Sequence, residues 1–446
     1  MRREKKFMAN VSAWDRASPG SVGHQAPKTG SPTSRAANTD WPPAGSFEGT
    51  DQPAKLHTDF VGTRWPLFWL ALKTGVFTVL TLGIYRFWMK TRLRRWFWSA
   101  TRPGGTPLEY VGDPFEKLLG FLIAVVILAF YIGVVNLLLM FASFSLFQQN
   151  FTAYLVSFLG VIPLWFYATY RARRYVLART RWRGVRFGLA PGAWGYTWRA
   201  IVHWTITILS AGILWPRMTF WLEKYRTDRT WYGDARLEQG GRWTMLYTAT
   251  KPMWIAVAFA ACAVWADLAA HPGTAIVLFA MAGVLAVYGI THYRVTSRAI
   301  LANHKSAGGV GLVATPSAPY IFGIAAFGYA ATAVVLALPV SALSVGVAIV
   351  QFAQTDVMGD LGNLGQSLSA LPQPLLIAIG IGLYFAIFLL WSSFTHVWVT
   401  MPVWRHYARH LEITNPEKLT AISQRARDEF EEAEGFAEAL DVGASL

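Results

Sequence analysis

The chain has 446 residues, of which 54% are hydrophobic and only 15% charged, and its formal net charge is +15. Because soluble domains carry about a quarter charged residues, this composition excludes an ordinary soluble domain and indicates a membrane protein. The basic residues cluster beside long apolar runs, as in membrane proteins, so we expect no nucleic acid partner. The expected partner is the lipid bilayer, with its anionic phospholipid headgroups.

Residues 1–58 form a separate class, rich in Pro, Gly, Ser and Thr. Such a segment buries too little apolar surface to offset its ordering entropy, so we expect a disordered cytoplasmic tail. No apolar run follows the basic residues Arg2 and Arg3, and a cleavable signal peptide is therefore not expected. The single cysteine, Cys262, excludes an intrachain disulfide and a multi-cysteine metal site, and we expect neither a metal nor a cofactor.

Eight apolar segments follow this tail, and each is long enough to approach or cross a hydrocarbon core that needs about 20 helical residues. They lie near residues 65–85, 118–140, 151–170, 197–215, 251–270, 274–292, 320–352 and 374–400. The expected fold class is therefore an all-α polytopic membrane protein with about eight membrane segments.

The linkers between these segments differ in charge. Residues 86–102 and 171–186 carry many Lys or Arg and no acid, whereas residues 141–150 and 353–373 carry neither Lys nor Arg. The positive-inside rule predicts that the first pair is cytoplasmic and the second pair periplasmic.

This assignment creates a parity problem for segments 65–85 and 197–215, which have basic linkers next to them. If all basic linkers are cytoplasmic, these two segments enter the membrane and return as re-entrant hairpins, which is permitted where protein buries the backbone. Alternatively they cross fully and leave some basic linkers outside. We favour the re-entrant arrangement.

The sequence also repeats itself. Residues 65–112 align without a gap on residues 194–241, and fourteen of the 48 positions are identical, against about three expected by chance. Many transporters carry their substrate site between such repeats, although a duplication can also record only how a protein grew. The units expected from this pattern are a first membrane repeat at 59–190, a second at 191–319, a third, degenerate unit at 320–411 and a tail at 412–446.

A glycine flanked by alternating apolar and polar residues follows each of two basic stretches, at residues 102–110 and 181–188. Alternation around a glycine predicts a short β-hairpin. Because open strands are not viable in lipid, we expect these hairpins at the cytoplasmic surface.

Three motifs carry a resemblance to a known family: TLGIYRFWMKTRLRRW at 81–96, TRWRGVRFG at 180–188 and AGILWP at 211–216. They resemble the YjgN-like family of uncharacterised bacterial inner-membrane proteins, a domain of unknown function. The family's third copy is matched only loosely, at residues 399–405. The resemblance implies a protein of the bacterial inner (plasma) membrane, and it implies no activity or catalytic residue. The apolar segments and basic linkers predict a multi-pass protein with both tails cytoplasmic.

No zinc-protease, phosphate-loop, dinucleotide or nucleophile-elbow motif is present, so we do not expect an enzyme. The candidate residues for a lipid or anionic ligand are instead the cations of the basic helices. They are Arg86, Lys90, Arg92, Arg94, Arg95, Arg171, Arg174 and Arg179. Anchoring to anionic lipid is the simpler explanation for these cations, and a dedicated site for an anionic substrate or headgroup is the alternative.

Charged or polar residues inside apolar segments are costly in lipid and therefore point to function. Lys73 and His203 are the intramembrane polar candidates for a substrate pathway, whereas Arg199 and Asp267 lie where snorkelling explains them.

Two hypotheses for the function follow. In the first, the protein binds or transports an amphipathic or anionic small molecule or lipid at the interface between its repeats. In the second, it is a non-transporting membrane scaffold or envelope factor that grips anionic lipid through its basic helices. At the C-terminus, residues 417–440 favour an acidic helix, which either docks on the basic cytoplasmic face or stays free in solvent.

Overall fold

A computed structural model of the chain describes residues 55–130, 150–352 and 372–425, together with a few positions between 133 and 141. Most of the expected N-terminal tail and residues 426–446 lie outside these ranges. All the elements below belong to one compact unit, Pro53–Leu446.

The central element is a single antiparallel sheet of ten short strands, in the spatial order β2-β1-β10-β9-β8-β7-β6-β5-β4-β3. Its strands are β1 Lys55–Phe60, β2 Thr101–Pro103, β3 Leu108–Tyr110, β4 Thr180–Trp182, β5 Val185–Leu189, β6 Thr230–Tyr232, β7 Ala235–Gln239, β8 Lys305–Ala307, β9 Val310–Ala314 and β10 Leu411–Thr414. The two outermost strands, β2 and β3, are joined by the turn at Gly104 and Gly105, so the sheet is nearly closed and barrel-like. We call it the strand ring.

The expected all-α fold class is therefore wrong. The turn at 181–188 does form the hairpin β4–β5, but β2 and β3 pair with β1 and β4 and not with each other. Strands of three to six residues give too short an alternation to be distinguished from loops. Outside the hairpins β4–β5, β6–β7 and β8–β9, the pairing partners lie far apart in sequence, as for β1 with β10 and β7 with β8.

Helices connect these strands. Their bounds are α1 Arg64–Leu80, α2 Arg86–Ala100, α3 Pro114–Phe130, α4 Asn150–Ala178, α5 Ala193–Leu209, α6 Trp215–Thr227, α7 Lys251–Leu268, α8 Pro272–Asn303, α9 Ala318–Phe352, α10 Gln373–Thr395 and α11 Met401–Arg409. A 3-10 helix, Trp243–Thr250, leads into α7, and a π-helical turn, His396–Thr400, joins α10 to α11. Each helical excursion starts after one strand of the ring and returns to the next.

Among the described residues, four helical segments are long and apolar enough to cross a membrane, not eight. They are Trp243–Leu268, Pro272–Asn303, Ala318–Ser341 and Ile377–Arg409. These correspond to the last four expected segments. The first and fourth expected segments, by contrast, form α1 and α5, which have 17 residues each and turn back through the shorter α2 and α6.

The two short helical hairpins, α1–α2 and α5–α6, turn in the same way. Leu82 and Ala211 both have φ of 51°, and the glycines that follow have φ of 92° at Gly83 and 85° at Gly212. The amide of each glycine donates to a carbonyl five residues back, at 2.7 Å and 2.8 Å. The tips are apolar, and Leu82 is 95% exposed. Because both ends of each hairpin lie at the ring, neither hairpin separates its ends across a membrane.

Two apolar cores hold the short hairpins, and a third fills the ring. Leu67, Phe97 and Met401 pack α1 and α2 against α11, whereas Tyr170 and Met218 join α4 to α6. The ring core is built from Trp182, Tyr232, Val310 and Ile413.

The segment that follows β10 packs on the same ring core. Residues Pro416–Ala421 form a 3-10 helix and 422–425 have no regular structure, so this part of the expected tail helix is not α-helical. Ser423 donates to the Asp234 carboxylate through its amide at 3.0 Å and its hydroxyl at 2.8 Å. The hydrogen bonds from Ser423 lower the pKa of Asp234. The remainder of the expected helix lies outside the described residues.

The turn geometry gives a stability prediction for Gly212. We expect Gly212→Ala to lower the free energy of unfolding by about 1–2 kcal/mol, because an L side chain is strained at this left-handed position. Gly283 is the control, since it lies in α8 with open space around it, and Gly283→Ala is expected to stabilise by about 0.5–1 kcal/mol. Thermal unfolding of the detergent-purified protein measures both changes. Equal destabilisation by the two would contradict this account of the turn.

Candidate functional site

The structure divides the sequence candidates by exposure. The buried members are Arg94, Arg174 and Arg179. The exposed members are Lys73, Arg86, Arg92 and Arg95, while Lys90, Arg171 and His203 are half-buried. The basic helix α2 is therefore not uniform, because one part of its charge faces protein and another faces the surroundings.

Arg179 pairs with an acid that sequence reasoning did not single out. Its Nε and Nη2 both donate to Glu116 Oε2, at 2.9 Å and 2.7 Å. The guanidinium lies 4.1 Å from the ring centre of Tyr175, whose hydroxyl also donates to Glu116 at 3.1 Å. Charge-assisted forked bonds of this kind are strong and directional. Arg179 therefore fixes the end of α4 against the start of α3.

Arg94 and Lys117 lie around the aromatic ring of Tyr110. Lys117 is fully buried, with its Nζ 5.0 Å from the ring centre of Tyr110 and 5.7 Å from that of Tyr175. Arg94 donates to the Tyr110 hydroxyl at 3.3 Å and also lies over that ring. Cations over aromatic faces gain electrostatic stabilisation when desolvated. Arg94 and Arg179 thus serve the packing of the first unit.

The exposed cations of α2 have weaker contacts. Arg95 Nη2 donates to the carbonyl of Gly112 at 2.9 Å, and Arg92 lies 5.7 Å from the ring centre of Tyr85. This arrangement is typical of side chains at a lipid headgroup surface.

A second, partly buried charge cluster lies where α6, α4 and β8 meet, and it contains none of the sequence candidates. Glu223 Oε1 accepts a hydrogen bond from Lys305 Nζ at 2.6 Å and lies 3.6 Å from Arg173 Nη2. Its other oxygen accepts from Arg226 Nη2 at 2.7 Å. The four side chains are between 14% and 34% exposed. We call these residues the Glu223 cluster, in which three cations share one carboxylate.

Electrostatics in the Glu223 cluster are unbalanced. Burial by itself would raise the pKa of Glu223, but the attraction of Lys305, Arg226 and Arg173 outweighs it and holds that pKa well below its usual range. Burial lowers the pKa of Arg173, and its attraction to Glu223 offsets this only in part. One carboxylate cannot neutralise three cations, so the cluster carries two positive charges in excess. An excess of buried positive charge favours the binding of an anion.

A polar pocket of about 320 Å³ lies among the end of α6, β7 and the start of β8, and none of the four residues of the Glu223 cluster lines it. His304 and Ser306, on either side of Lys305, line it together with Lys224, Asp228 and Gln239. Lys224 and Asp228 pair at 3.0 Å, so the pocket wall itself is close to neutral.

A sequence signal for both clusters was available in the placement of acids. Between Glu116 and Glu223 the sequence contains ten Lys or Arg and not one Asp or Glu. Sequence reasoning considered the cations alone and therefore missed both acids that hold them. Within the described residues, no group of three or more His, Cys, Asp or Glu is arranged to hold a metal ion.

The sequence model of a family described as bacterial proteins of unknown function (DUF898) matches residues 55–439. The chain belongs to this family. The match confirms the resemblance to the YjgN-like proteins and includes the whole ring, both short hairpins and the Glu223 cluster. No curated protein and no solved structure matches the chain.

The first prediction for the cluster concerns stability. We expect Glu223→Gln to lower the free energy of unfolding by at least about 2 kcal/mol, because three partly buried cations lose the carboxylate that they share. Glu238→Gln is the matched control, since Glu238 is exposed on β7, and it is expected to change stability by less than about 0.5 kcal/mol. Thermal unfolding followed by tryptophan fluorescence compares the two. A Glu223→Gln protein as stable as the control would show that the cluster is not tightly coupled to the fold.

The second prediction concerns pH. The folded pKa of Glu223 lies below its unfolded value, so its stabilising contribution is complete above that ordinary value of about 4.3 and is lost as the pH falls through the folded pKa. Acidification below about pH 4 should therefore reduce the melting temperature of the wild type more steeply than that of Glu223→Gln. Parallel slopes for the two proteins would contradict the assignment.

Proposed function

We propose that the protein is a bacterial inner-membrane protein that binds an anionic amphipathic molecule, with the anionic group held at the Glu223 cluster. The observation that carries this proposal is the presence of three partly buried cations around a single carboxylate. A phosphate-bearing headgroup matches the excess charge, because guanidinium groups bind phosphate oxygens through parallel hydrogen bonds. Arg226 Nε, which has no hydrogen-bond partner among the described residues, is one donor available for this purpose.

The orientation that we propose puts the ring and both tails in the cytoplasm. Four exposed tryptophans, Trp65, Trp69, Trp194 and Trp198, lie near the ring-side ends of α1 and α5, and tryptophan favours the headgroup level of a bilayer. The basic stretch 171–186 runs into β4 and β5 of the ring, which supports a cytoplasmic ring under the positive-inside rule.

The position of the cluster supports a site between repeated units. Arg173 comes from the first unit, 59–190, and Glu223, Arg226 and Lys305 come from the second, 191–319. The matching turns of the two short hairpins support an origin of these units by duplication. A ligand at the cluster therefore contacts both units, and its arrival or departure can bias how they pack, as transport requires.

The proposal predicts which substitutions release a co-purified anionic lipid. The variant Arg173→Ala plus Lys305→Ala is expected to lower the retention of phosphatidylglycerol at least about tenfold, measured by native mass spectrometry after mild detergent extraction. Arg294→Ala plus Arg298→Ala removes the same charge from exposed positions on α8 and should leave retention within about twofold. Zwitterionic phosphatidylcholine should be retained poorly by all three proteins.

Two further measurements distinguish this proposal from its alternatives. If Arg86→Ala plus Arg92→Ala releases the lipid while the Arg173 and Lys305 variant retains it, the protein grips lipid through the exposed basic face and the scaffold hypothesis replaces this one. If inorganic phosphate binds as tightly as the lipid and competes with it, the site serves a free anion and not a headgroup.

A further inference from the structure

An apolar cavity of about 200 Å³ lies at the tip of the second short hairpin, where this tip meets α7 and α8. The turn residues 211–213 and Trp215 form one side, and Met253, Val257 and Tyr293 form the other. We call it the Trp215 cavity. It belongs to neither the Glu223 cluster nor the polar pocket.

The polar groups in the wall of the Trp215 cavity are already satisfied by protein. The Tyr293 hydroxyl donates to Thr219 Oγ1 at 2.8 Å. Trp254 Nε1 donates to Thr250 Oγ1 at 3.2 Å, and the Thr250 hydroxyl donates to the carbonyl of Tyr247 at 2.8 Å. The cavity therefore offers hydrocarbon surface to an occupant, and burial of an apolar group is the interaction it favours.

The mouth of the cavity is lipid-facing in the proposed orientation. Ile213, Trp254 and Val257 are each about half exposed. Trp254 and Val257 lie on α7, within the membrane-crossing segment Trp243–Leu268. An occupant can thus enter sideways from the bilayer.

The Trp215 cavity and the Glu223 cluster share one face of α6. Trp215 and Arg226 are eleven residues apart, and Pro216 and Glu223 are seven apart, so each pair is offset by only about 20° around the helix. At a rise of about 1.5 Å per residue, the two sites are separated by about 10–16 Å along the helix axis. One leaflet of a hydrocarbon core is about 15 Å deep, so a lipid with its headgroup at the cluster has acyl chain at the level of the cavity.

We infer that the Trp215 cavity receives an acyl chain of the same molecule whose phosphate lies at the Glu223 cluster, and that this molecule is a glycerophospholipid. The inference rests on the proposed function for the headgroup site. It adds that the protein recognises the acyl chain of the lipid as well as the charge of its headgroup. The ligand bridges α6, α7 and α8, with its polar end at the ring and its chain against Trp215 and Val257.

A matched pair of valines tests the chain site. Val257 and Val264 lie two helical turns apart on α7 and both are exposed, but only Val257 lines the cavity. The protein is titrated in detergent with phosphatidylglycerol bearing two oleoyl chains or two hexanoyl chains, and binding is counted by native mass spectrometry. The wild type should prefer the oleoyl lipid by at least about tenfold. Val257→Phe should reduce this preference to about threefold or less, while Val264→Phe should keep it.

The headgroup variant separates the two proposals. Arg173→Ala plus Lys305→Ala should weaken binding of both lipids by a similar factor and leave the preference for oleoyl chains intact. If Val257→Phe shows the same preference for the oleoyl lipid as Val264→Phe while the headgroup variant loses both lipids, the acyl-chain site is assigned wrongly and the anion site is supported. If Val257→Phe alters binding but the headgroup variant does not, the anion site is wrong. If neither variant alters binding, both proposals are overturned.

Discussion

The antiparallel pairing of β1 with β10 joins the first and last described strands and makes the ring nearly continuous. Leu56 lies opposite Ile413, and β1 continues through Phe60 to pair with β2. The contacts of the Glu412 carboxylate with Lys55 and His57 are partly exposed, so they contribute little compared with the ladder and the buried Ile413. Because the ring is closed in this way, every helical excursion has to return to the side from which it left.

This constraint explains how charges far apart in sequence come to share one site. Arg173 lies at the ring-side end of α4, Glu223 and Arg226 lie at the ring-side end of α6, and Lys305 begins β8. Each is within about a turn or two of a strand. The ring thus fixes the ends of three separate segments within ion-pairing distance of one another. A bundle of independent membrane helices would not impose such proximity.

The parts of the fold that sequence could predict are those with a long, repeated pattern. The segments expected at 251–270, 274–292, 320–352 and 374–400 each overlap one of the four helical segments that are long and apolar enough to cross a membrane. The ring was missed because a strand such as Thr101–Pro103 is too short to show a period, and its partner β1 lies in what composition marks as a tail. The sequence could not distinguish the exposed cations of α2 from the buried ones. Arg92 and Arg94 lie on the same helix, and only tertiary packing leaves the first exposed and the second buried. Glu223 was missed because sequence reasoning considered the cations alone, although this acid ends a stretch with ten Lys or Arg and no other acid.

The two short hairpins also differ at one aligned position in a way that bears on function. Glu223 of α6 aligns with Arg94 of α2 in the repeat. In the first unit this position carries a cation that packs on Tyr110, close to the Glu116 and Arg179 pair. In the second unit it carries the acid that gathers three cations. The Glu223 carboxylate contacts Arg173, Arg226 and Lys305. Its single negative charge is smaller than the three positive charges of these side chains. In the first hairpin the charged residue at this position therefore contributes to packing. In the second hairpin the equivalent residue gathers more positive charge than it neutralises, and the proposed anionic ligand would neutralise the remainder.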